Sequence, residues 1–517
     1  MFRNKFTFQI LTVGVLVFCA ANFSFGQKLN AADKNALVKF EKAIEQGSYA
    51  AVERDLLNYA IANPNEAKGF ELLGRLRFAQ NRLNEAKALY QKALLIDPAS
   101  ASARINLAVV NFQTGNIEKA VSDLNEIADQ DVSNAALRLK LAKAFALVGD
   151  CRMALSAVEK LTAKIKNGDA LPLRAACYRQ SDEKQKVASL IPLAKNLSKQ
   201  NPATALKFVE VLSDAALYKE SADVLRALVA AAPNNAEALV LLAKSEIYLK
   251  DLRNAQIHLN QASKTNPNSP DLLFVQSLLA SEQGNAARSL DLLEKSLAAN
   301  PNQTAALIQL IVTAMRANQT GKAFEAAGKL LELKPNEPDF LYLYGAAALQ
   351  NNNLAAAEIS LNRYASLRPQ EARGCLALGL TYAAQPDKLE NARAQLRHCI
   401  EMNPNDFEAR YQLGLSYKTQ GETAKATEYL EETVGISPDY APALRDLGAV
   451  YLQAGAETKA RAALEKSAAI NPNDADTHFQ LSRLYNLIGE TALAKKHLET
   501  FQKLKNPTIN STKNGMQ

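Results

Sequence analysis

Cysteine and histidine are the residue types in this chain whose side chains could form cross-links, bind a metal ion or act as nucleophiles. Of the five cysteines, Cys19 lies in an apolar N-terminal segment, and the others are Cys151, Cys177, Cys375 and Cys399. None belongs to a Cys-x-x-Cys pair, the spacing typical of redox and zinc motifs. In an exported chain, the four downstream cysteines could form two disulfides in any of three pairings, or they could remain reduced.

The four histidines lie in separate parts of the sequence: His258, His398, His478 and His497. None is part of a His-Glu-x-x-His zinc motif, and the chain has neither a Gly-x-Ser-x-Gly nucleophile turn nor a phosphate-binding glycine loop. Carboxylates are numerous, and we expect them on solvent-exposed helix faces. The sequence therefore predicts a protein that is not an enzyme and that holds no metal or cofactor.

A 34-residue repeat dominates the chain. The fold of this repeat must determine where the cysteine and histidine side chains lie. Residues 405–438 and 439–472 are two consecutive copies of the period. Identical residues recur at the same offsets in both copies: Leu413 and Leu447, Gly414 and Gly448, Tyr417 and Tyr451, Gly421 and Gly455, Ala426 and Ala460, Leu430 and Leu464, and Pro438 and Pro472. Apolar residues follow helical spacing in two runs within each copy, which predicts two helices.

Glycine, proline and alanine define the ends and the contact of these two helices. Gly421 lies where a helix C-terminus favours a positive φ angle, and Pro438 cannot continue a helix because it lacks an amide donor. Gly414 and Ala426 are small enough for the two helices to approach closely. Because one hairpin cannot bury its apolar face alone, neighbouring hairpins must stack. The predicted fold class is all-α.

The repeated residues resemble the signature of the tetratricopeptide repeat (TPR) family. The matching positions are Leu413, Gly414, Tyr417, Ala426 and Pro438, then Leu447, Gly448, Tyr451, Ala460 and Pro472, and also Leu73, Gly74, Ala86, Tyr90, Ala93 and Pro98. The chain has no tryptophan, and Phe70, Leu273 or Leu444 stands where the family often has one. The chain resembles exported bacterial members of this family. The resemblance implies a right-handed superhelical solenoid of about 14 helix-turn-helix units.

Repeat spacing also predicts the domain organisation. The solenoid is predicted over residues 33–507, with a short segment at 27–32 before it and a disordered tail at 508–517. The pattern weakens over 132–201, where Pro192 falls inside a predicted second helix, so this helix either kinks or begins late. The weaker stretch is either ordinary drift of the repeat or a hinge between two blocks. A one-residue insertion is predicted in the turn at 385–387.

Residues 1–26 have the order of a secretory signal peptide. Arg3 and Lys5 precede a largely apolar run at 6–21, which is shorter than the roughly 20 residues that a membrane span needs. The large residue before Cys19 disfavours a lipoprotein signal, and an uncleaved anchor is the other alternative. We expect an exported protein that is periplasmic or secreted.

The register of the resembling family selects among the cysteine pairings. It places Cys375 early in the first helix of the eleventh repeat and Cys399 late in the second, where antiparallel helices bring their ends together. It places Cys151 and Cys177 in consecutive stacked repeats. The implied disulfides are Cys151–Cys177 and Cys375–Cys399, because the other pairings join repeats too far apart to bridge. The alternative is four reduced core thiols.

In the resembling family, the fifth and ninth residues of each first helix line a concave groove. We call the surface formed by these positions the first-helix face. Its ninth positions are largely charged in the early repeats: Glu41, Arg75, Lys143, Glu210 and Lys244. Later positions are apolar, including Ala346 and a predicted partner-binding strip of Phe274, Leu278, Ile308, Val312, Tyr342, Leu376, Leu380, Tyr411 and Leu415. Exposed apolar strips usually bind partners. The alternative is that these residues pad contacts between neighbouring repeats.

Some family members grip a C-terminal carboxylate with a clamp of Lys, Asn and Arg side chains. Asn106 and Lys140 fit two positions of that clamp, but Glu71, Arg75 and Ala136 do not fit the other three. The clamp is therefore not expected in this chain.

These features favour a non-catalytic scaffold outside the cytoplasm that binds peptide or protein segments during envelope assembly, secretion or surface-polymer export. The alternative is an obligate non-catalytic subunit of an envelope enzyme complex, such as a polymer synthase or a glycosyltransferase. Peripheral membrane association is expected only through such partners. The formal net charge of +7 is spread through the repeats, so no nucleic-acid partner is expected.

Overall fold

The computed structural model describes residues 31–128 and 134–505. The predicted signal peptide and C-terminal tail lie outside these ranges. Throughout the described residues, the regular elements are α-helices and one short 3-10 helix, with no strand. The all-α class predicted from the sequence is confirmed. The chain divides into two compact units, Met1–Ala231 and Ala232–Gln517.

Unit 1 contains six hairpins in its described part. The helices, in chain order, are α1 (Ala31–Glu45), α2 (Tyr49–Ala62), α3 (Ala67–Ala79), α4 (Leu83–Ile96), α5 (Ala101–Gln113), α6 (Ile117–Ala128), α7 (Ala135–Leu147), α8 (Cys151–Glu159), α9 (Ala163–Asn167), α10 (Leu171–Gln180), α11 (Lys184–Ser189), α12 (Ile191–Gln200), α13 (Pro202–Asp214) and α14 (Tyr218–Ala231). Hairpins 1 to 4 are the pairs α1–α2 to α7–α8, and hairpin 6 is α13–α14. Hairpin 5 is irregular, because α9 precedes its first helix, α10, and its second half is split into α11 and α12.

Unit 2 contains eight hairpins in its described part. Its helices are α15 (Ala236–Tyr248), α16 (Leu252–Ser263), α17 (Pro270–Glu282), α18 (Ala286–Ala299), α19 (Thr304–Arg316), α20 (Thr320–Leu333), α21 (Pro338–Gln350), α22 (Leu354–Leu367), α23 (Ala372–Ala383), α24 (Leu389–Met402), α25 (Phe407–Thr419), α26 (Thr423–Ile436), α27 (Ala441–Gln453), α28 (Glu457–Ile470), α29 (Ala475–Leu487) and α30 (Thr491–Lys505). Consecutive pairs form hairpins 7 to 14. The repeating helix-turn-helix units expected from the 34-residue period are confirmed.

Most hairpin turns contain one residue in the left-handed region of φ. In hairpin 12, Gly421 has a φ of +76°, as predicted, and the amide of Glu422 donates to the Tyr417 carbonyl at 3.0 Å. This bond satisfies a carbonyl at the end of the first helix that would otherwise lack a partner. Equivalent residues in the other described turns are Gly47, Asn81, Gly115, Gly149, Asp182, Ala216, Lys250, Gly284, Asn318, Asn352, Gly455 and Gly489. Hairpin 11 is the exception, with the 3-10 helix Pro386–Lys388 at the predicted insertion.

Small residues bring the two helices of a hairpin together. A Cβ atom on Gly345 would come within 2.5 Å of Leu361 Cγ, and one on Gly414 would come within 3.0 Å of Leu430 Cγ. Ala426, on the second helix of hairpin 12, is fully buried in the unit 2 core. The predicted close approach of the helices is therefore present.

Hairpin 5 shows how the weak stretch of the repeat folds. A helix interior does not tolerate proline, because the ring clashes with the preceding turn. Pro192 instead lies at the second residue of α12, where the missing amide has no intrahelical bond to lose. The second half of hairpin 5 is thus divided at Leu190 into α11 and α12, and α12 begins at Ile191. The hinge over 132–201 stays a prediction.

Candidate functional site

An apolar pocket of about 360 Å³ opens on the first-helix face of unit 2. Helices α19, α21 and α23 line it, with Met315 as the contribution of α19. Its lining residues are Met315, Tyr342, Ala346, Leu349, Gln350, Arg373, Leu376, Ala377 and Leu380. Seven of these nine side chains are apolar or aromatic, and the two polar ones are Gln350 and Arg373.

Two side chains of the pocket, Arg373 and Gln350, donate hydrogen bonds within the protein. Arg373 lies over the Tyr342 ring at 4.9 Å from the ring centre, and its guanidinium pairs with Asp339 and, at 2.9 Å, with Glu371. Gln350 Nε2 donates to the Met315 carbonyl at 3.1 Å. The charge of Arg373 is thus balanced within the protein, and the pocket offers mainly an apolar surface to a ligand.

Three residues of the predicted strip meet in this pocket, namely Tyr342, Leu376 and Leu380. All three are half-buried. Tyr342 and Leu376 also pack against core clusters, so a single side chain both contacts the neighbouring repeat and remains accessible. The two alternatives drawn from the sequence are therefore not exclusive at these positions.

The other six residues of the strip lie outside the pocket. Ile308, Val312 and Leu415 are half-buried, whereas Phe274, Leu278 and Tyr411 are buried, each with no more than 8% of its surface exposed. We leave the three buried residues out of the candidate site.

Tyr411 is buried because its neighbours form a polar network on the first helices of hairpins 12 and 13. Its hydroxyl donates to Asp446 Oδ2 at 2.9 Å, and its ring meets Tyr440 edge-on at 5.2 Å. Burial on its own raises the pKa of Asp446, but hydrogen bonds and charges from Arg445 and Lys418 outweigh it and lower the pKa. This part of the first-helix face is closed by ion pairs.

The expectation that every carboxylate lies on an exposed face is wrong. Four carboxylates are almost fully buried: Glu71, Asp123, Glu246 and Asp446. Each has a partner, because a buried charge without one would be costly. For example, Asp123 accepts from Asn111 Nδ2 at 2.9 Å, and Glu246 bonds His258 Nδ1 at 2.8 Å. Asn111 and His258 lie on the opposite helix of the hairpin from the carboxylates they bond, so sequence spacing could not reveal these two partners.

The first-helix face of hairpins 1 to 3 carries an ion-pair cluster. Arg75 Nη1 lies 2.6 Å from Glu41 Oε1, and Lys68 Nζ lies 3.4 Å from both Glu41 and the buried Glu71. Ser102 also donates to Glu71 at 2.7 Å. Every acid in the cluster is thus paired with a base.

The two residues that fit the carboxylate clamp lie on the helices next to this cluster. Asn106, on α5, is buried, and its Nδ2 has no hydrogen-bond partner within the described part of the chain. Burial lowers the pKa of Lys140, on α7, to about 8 despite the nearby charge of Glu71. Arg75 is held in its ion pair with Glu41. The structure therefore gives no support for a carboxylate clamp at these residues.

Two histidines that are far apart in sequence form a pair in hairpin 14. His478 Nδ1 lies 2.9 Å from His497 Nδ1, and His478 Nε2 donates to the Pro472 carbonyl at 2.9 Å. Burial and the neighbouring His478 lower the pKa of His497. Over residues 31–128 and 134–505, no group of three or more possible metal ligands comes together.

The structure brings the cysteines together in the two pairs that the repeat register implies, at Cα separations that allow disulfides. Cys151 is joined to Cys177 with the two Cα atoms 5.1 Å apart, and Cys375 is joined to Cys399 with the two Cα atoms 5.7 Å apart. The first bridge links hairpin 4 to the irregular hairpin 5. The second joins the two helices of hairpin 11, and its Cys375 lies on α23 together with the pocket residues Leu376 and Leu380.

Family comparisons agree with the repeat seen in the structure. Sequence families described as tetratricopeptide repeat match residues 77–144, 240–304, 309–372, 372–406, 396–428 and 417–478. Together these matches extend over more than half of the sequence. The chain belongs to the tetratricopeptide repeat family. The TPR resemblance derived from Leu413, Gly414 and the residues that follow is confirmed.

One curated relative is the cellulose synthase operon protein C of Pseudomonas fluorescens, which is 26% identical over 441 residues. The match covers 74% of this TPR chain and 32% of the relative, so the chain spans about a third of that protein's length. No described helix is both long and apolar enough to cross a membrane.

Two solved structures are among those similar to this chain. The crystal structure of the APC/C hetero-tetramer Cut9-Hcn1 shares 14% identity, covers 88% of this chain and 96% of that chain, and gives a TM-score of 0.41. A tetratricopeptide repeat protein from Parabacteroides merdae shares 19% identity, covers 48% of this chain and 98% of that chain, and gives a TM-score of 0.43.

Proposed function

We propose that this TPR chain is a non-catalytic interaction scaffold outside the cytoplasm that binds peptide or protein segments in the pocket on α19, α21 and α23. Its role would lie in envelope assembly, secretion or surface-polymer export. The observation that carries the proposal is the pocket itself: a largely apolar surface whose charged side chain, Arg373, is paired with Asp339 and Glu371. Such a surface favours a partner that inserts an apolar side chain, because burying apolar area is the main source of binding energy there.

The proposed location outside the cytoplasm has two supports. The N-terminal segment has the order of a secretory signal peptide, and the chain places four cysteines in two bondable pairs. Structural disulfides persist in oxidising compartments and are rare in the cytosol. Peptide mapping under non-reducing conditions, on protein recovered from its own cell, tests this part. Recovery of both bridges supports it, and four freely alkylated thiols contradict it.

Partner capture tests the pocket. Affinity-tagged wild-type chain is compared with Leu376→Asp and Leu380→Asp in envelope extracts. A carboxylate in the pocket has no free cation to pair with, so we expect at least a tenfold loss of captured partner, or roughly 1.4 kcal/mol. Ile359→Asp is the matched control, since Ile359 is 72% exposed on α22 and lies outside the pocket.

The state of the fold must be measured alongside capture. Helix content and melting temperature should stay close to wild type in all three variants, because Leu376 and Leu380 are only half-buried. Equal capture by folded pocket variants and the control variant would exclude the pocket as the binding site. If Leu376→Asp unfolds, Leu380→Asp decides, because Leu380 lines the pocket without belonging to a core cluster.

A second candidate is an obligate non-catalytic subunit of an envelope enzyme complex, such as a polymer synthase or a glycosyltransferase. The observation that favours it is the similarity to the cellulose synthase operon protein C, which extends over 74% of this chain. Composition of the captured material separates the two candidates. One enzyme recovered at a fixed stoichiometry supports the subunit, whereas many unrelated unfolded clients support a holdase-like scaffold.

A further inference from the structure

Hairpin 11 differs from every other described hairpin in its turn. The position that is left-handed in hairpin 10, Asn352 with a φ of +58°, is 34 residues before Pro386. Proline fixes φ near −65° and cannot adopt a positive value. Hairpin 11 therefore cannot form the turn that the rest of the chain uses, and it forms the 3-10 helix Pro386–Lys388 instead.

The altered turn also changes the hydrogen bonds that close the hairpin. In hairpin 10, the Asn353 amide donates across the turn to the Ala348 carbonyl at 2.8 Å. In hairpin 11, the backbone bonds of the turn are shorter in range, from Gln385 to the Tyr382 carbonyl and from Lys388 to the Gln385 carbonyl, both at 2.9 Å. Five residues, 384–388, thus separate the two helices of hairpin 11, against three, 351–353, in hairpin 10, and the backbone bonds of the longer turn span three residues rather than five.

A disulfide joins the two helices of this same hairpin at the end away from the turn. Cys375 is the fourth residue of α23, and Cys399 lies three residues before the end of α24. Both side chains are buried, with 5% and 0% of their surface exposed. The bridge therefore fixes the open end of the hairpin whose turn is irregular.

Helix α23 is also the third wall of the apolar pocket. Cys375 directly precedes Leu376 and Ala377, and Leu380 follows one turn later, while Arg373 forms the rim. On a helix, consecutive side chains point about 100° apart, so Cys375 can face α24 while Leu376 faces the pocket. Any displacement of α23 from α24 moves the pocket wall directly.

We infer that the Cys375–Cys399 disulfide holds α23 in the position that forms the pocket, and that its redox state regulates partner binding there. The regulatory half rests on the proposed function, whereas the positional half concerns the fold alone. A dithiol reductant breaks the sulfur–sulfur bond, each cysteine gains one hydrogen, and the dithiol becomes a disulfide. The reverse exchange with an oxidised dithiol restores the bridge.

Unit 1 supplies a matched control for the bridge. Cys151–Cys177 is a second buried disulfide of similar Cα separation, and neither cysteine lines the pocket. The turn before Cys151 is regular, since Gly149 has a φ of +88°. Removing this bridge tests the general effect of losing a disulfide without touching hairpin 11.

Hydrogen–deuterium exchange of the full chain tests the inference without any partner. Wild type, Cys375→Ala/Cys399→Ala and Cys151→Ala/Cys177→Ala are each measured with and without dithiothreitol. We expect amide exchange in 372–383 and 389–402 to become at least about fivefold faster in reduced wild type and in the Cys375→Ala/Cys399→Ala variant. In the oxidised Cys151→Ala/Cys177→Ala variant, exchange in the same peptides should match oxidised wild type.

Unchanged exchange in 372–383 after loss of Cys375–Cys399 would overturn the inference, whether or not the proposed function is correct. The regulatory half is read from partner capture by the same variants. It holds if the Cys375→Ala/Cys399→Ala variant captures at least about fivefold less than the Cys151→Ala/Cys177→Ala variant, and equal capture by the two overturns it. If wild type captures nothing, the proposed function and with it the regulatory half fail, and exchange alone decides the positional half.

Discussion

Hairpins 1 to 3 and hairpins 9 to 11 carry different surfaces at the same positions of the first-helix face: an ion-pair cluster in the first group and an apolar pocket in the second. In unit 1, the ninth positions Glu41 and Arg75 form an ion pair at 2.6 Å, and Lys68 joins the cluster. In unit 2, the equivalent positions are apolar and leave a pocket of about 360 Å³ beside Ala346 and Leu380.

The difference shows what decides whether a repeat position is available to a partner. Long charged side chains reach one another across neighbouring first helices and close the face. Short apolar side chains, such as Ala346, cannot fill the same space, and the cavity remains. The TPR backbone is common to both regions, so the side chains at two positions per repeat determine the difference.

The largest expected effect comes from filling the contact that supports the pocket. Gly345→Ala places a Cβ within 2.5 Å of Leu361 Cγ, and Leu361 is fully buried. We expect a loss of about 1–3 kcal/mol in the free energy of unfolding, since a packed core resists extra volume. Urea denaturation of the full chain, with and without the substitution, measures this loss in the free energy of unfolding.

Gly435→Ala is the control for this substitution. It lies near the end of α26, where a Cβ would meet no atom within 4 Å. Alanine should stabilise that helix by about 0.5–1 kcal/mol, because it loses less conformational freedom than glycine on folding. Equal effects of the two substitutions would show that the contact between Gly345 and Leu361 is not tight.

The second prediction converts the unit 1 face toward the unit 2 type. Glu41→Leu combined with Arg75→Leu removes the ion pair and leaves two apolar side chains on the same surface. We expect the free energy of unfolding to change by less than about 1 kcal/mol, because ion pairs that remain partly exposed contribute little. A loss of several kcal/mol would mean that the charges hold unit 1 together. Thermal and urea unfolding of the double variant decide between these outcomes.

The third prediction is a pH dependence that belongs to unit 1. Burial lowers the pKa of Lys140 from its ordinary value of 10.5 to about 8 in the folded chain. Between pH 8 and pH 10.5 the unfolded chain binds more protons at this site, so stability should rise with pH across that window. Lys140→Met should remove this rise, and Lys143→Met, at an exposed residue of the same helix, should not. Urea midpoints at pH 8 and pH 10 provide the measurement, and an unchanged rise in Lys140→Met would contradict it.

The sequence predicted the elements well because glycine and proline act locally. Gly421 and Pro438 mark a turn and a helix end through their own backbone limits, and the extra residue at 385–387 was visible as a shift in proline spacing. Hairpin 5 was harder, since nothing in its composition distinguishes the short helix α9, Ala163–Asn167, from a loop.

Exposure at the candidate site could not be predicted from repeat position alone. Tyr342 and Tyr411 occupy the same fifth position, but Tyr342 lines the pocket and Tyr411 is buried. The difference arises from the next repeat, where Asp446 and Tyr440 meet Tyr411. Contacts of this kind join residues about one repeat apart, and a periodic pattern does not say which neighbour will fill the space.

Photo-crosslinking at matched repeat positions tests the central claim most directly. A benzoylphenylalanine is placed at Ala346 in the pocket and, separately, at Lys143, the ninth position of hairpin 4. The account predicts a discrete crosslinked partner from position 346 that disappears when Leu376→Asp is added, and none from position 143. A partner crosslinked from position 143 alone, or one from position 346 that survives Leu376→Asp, would contradict it.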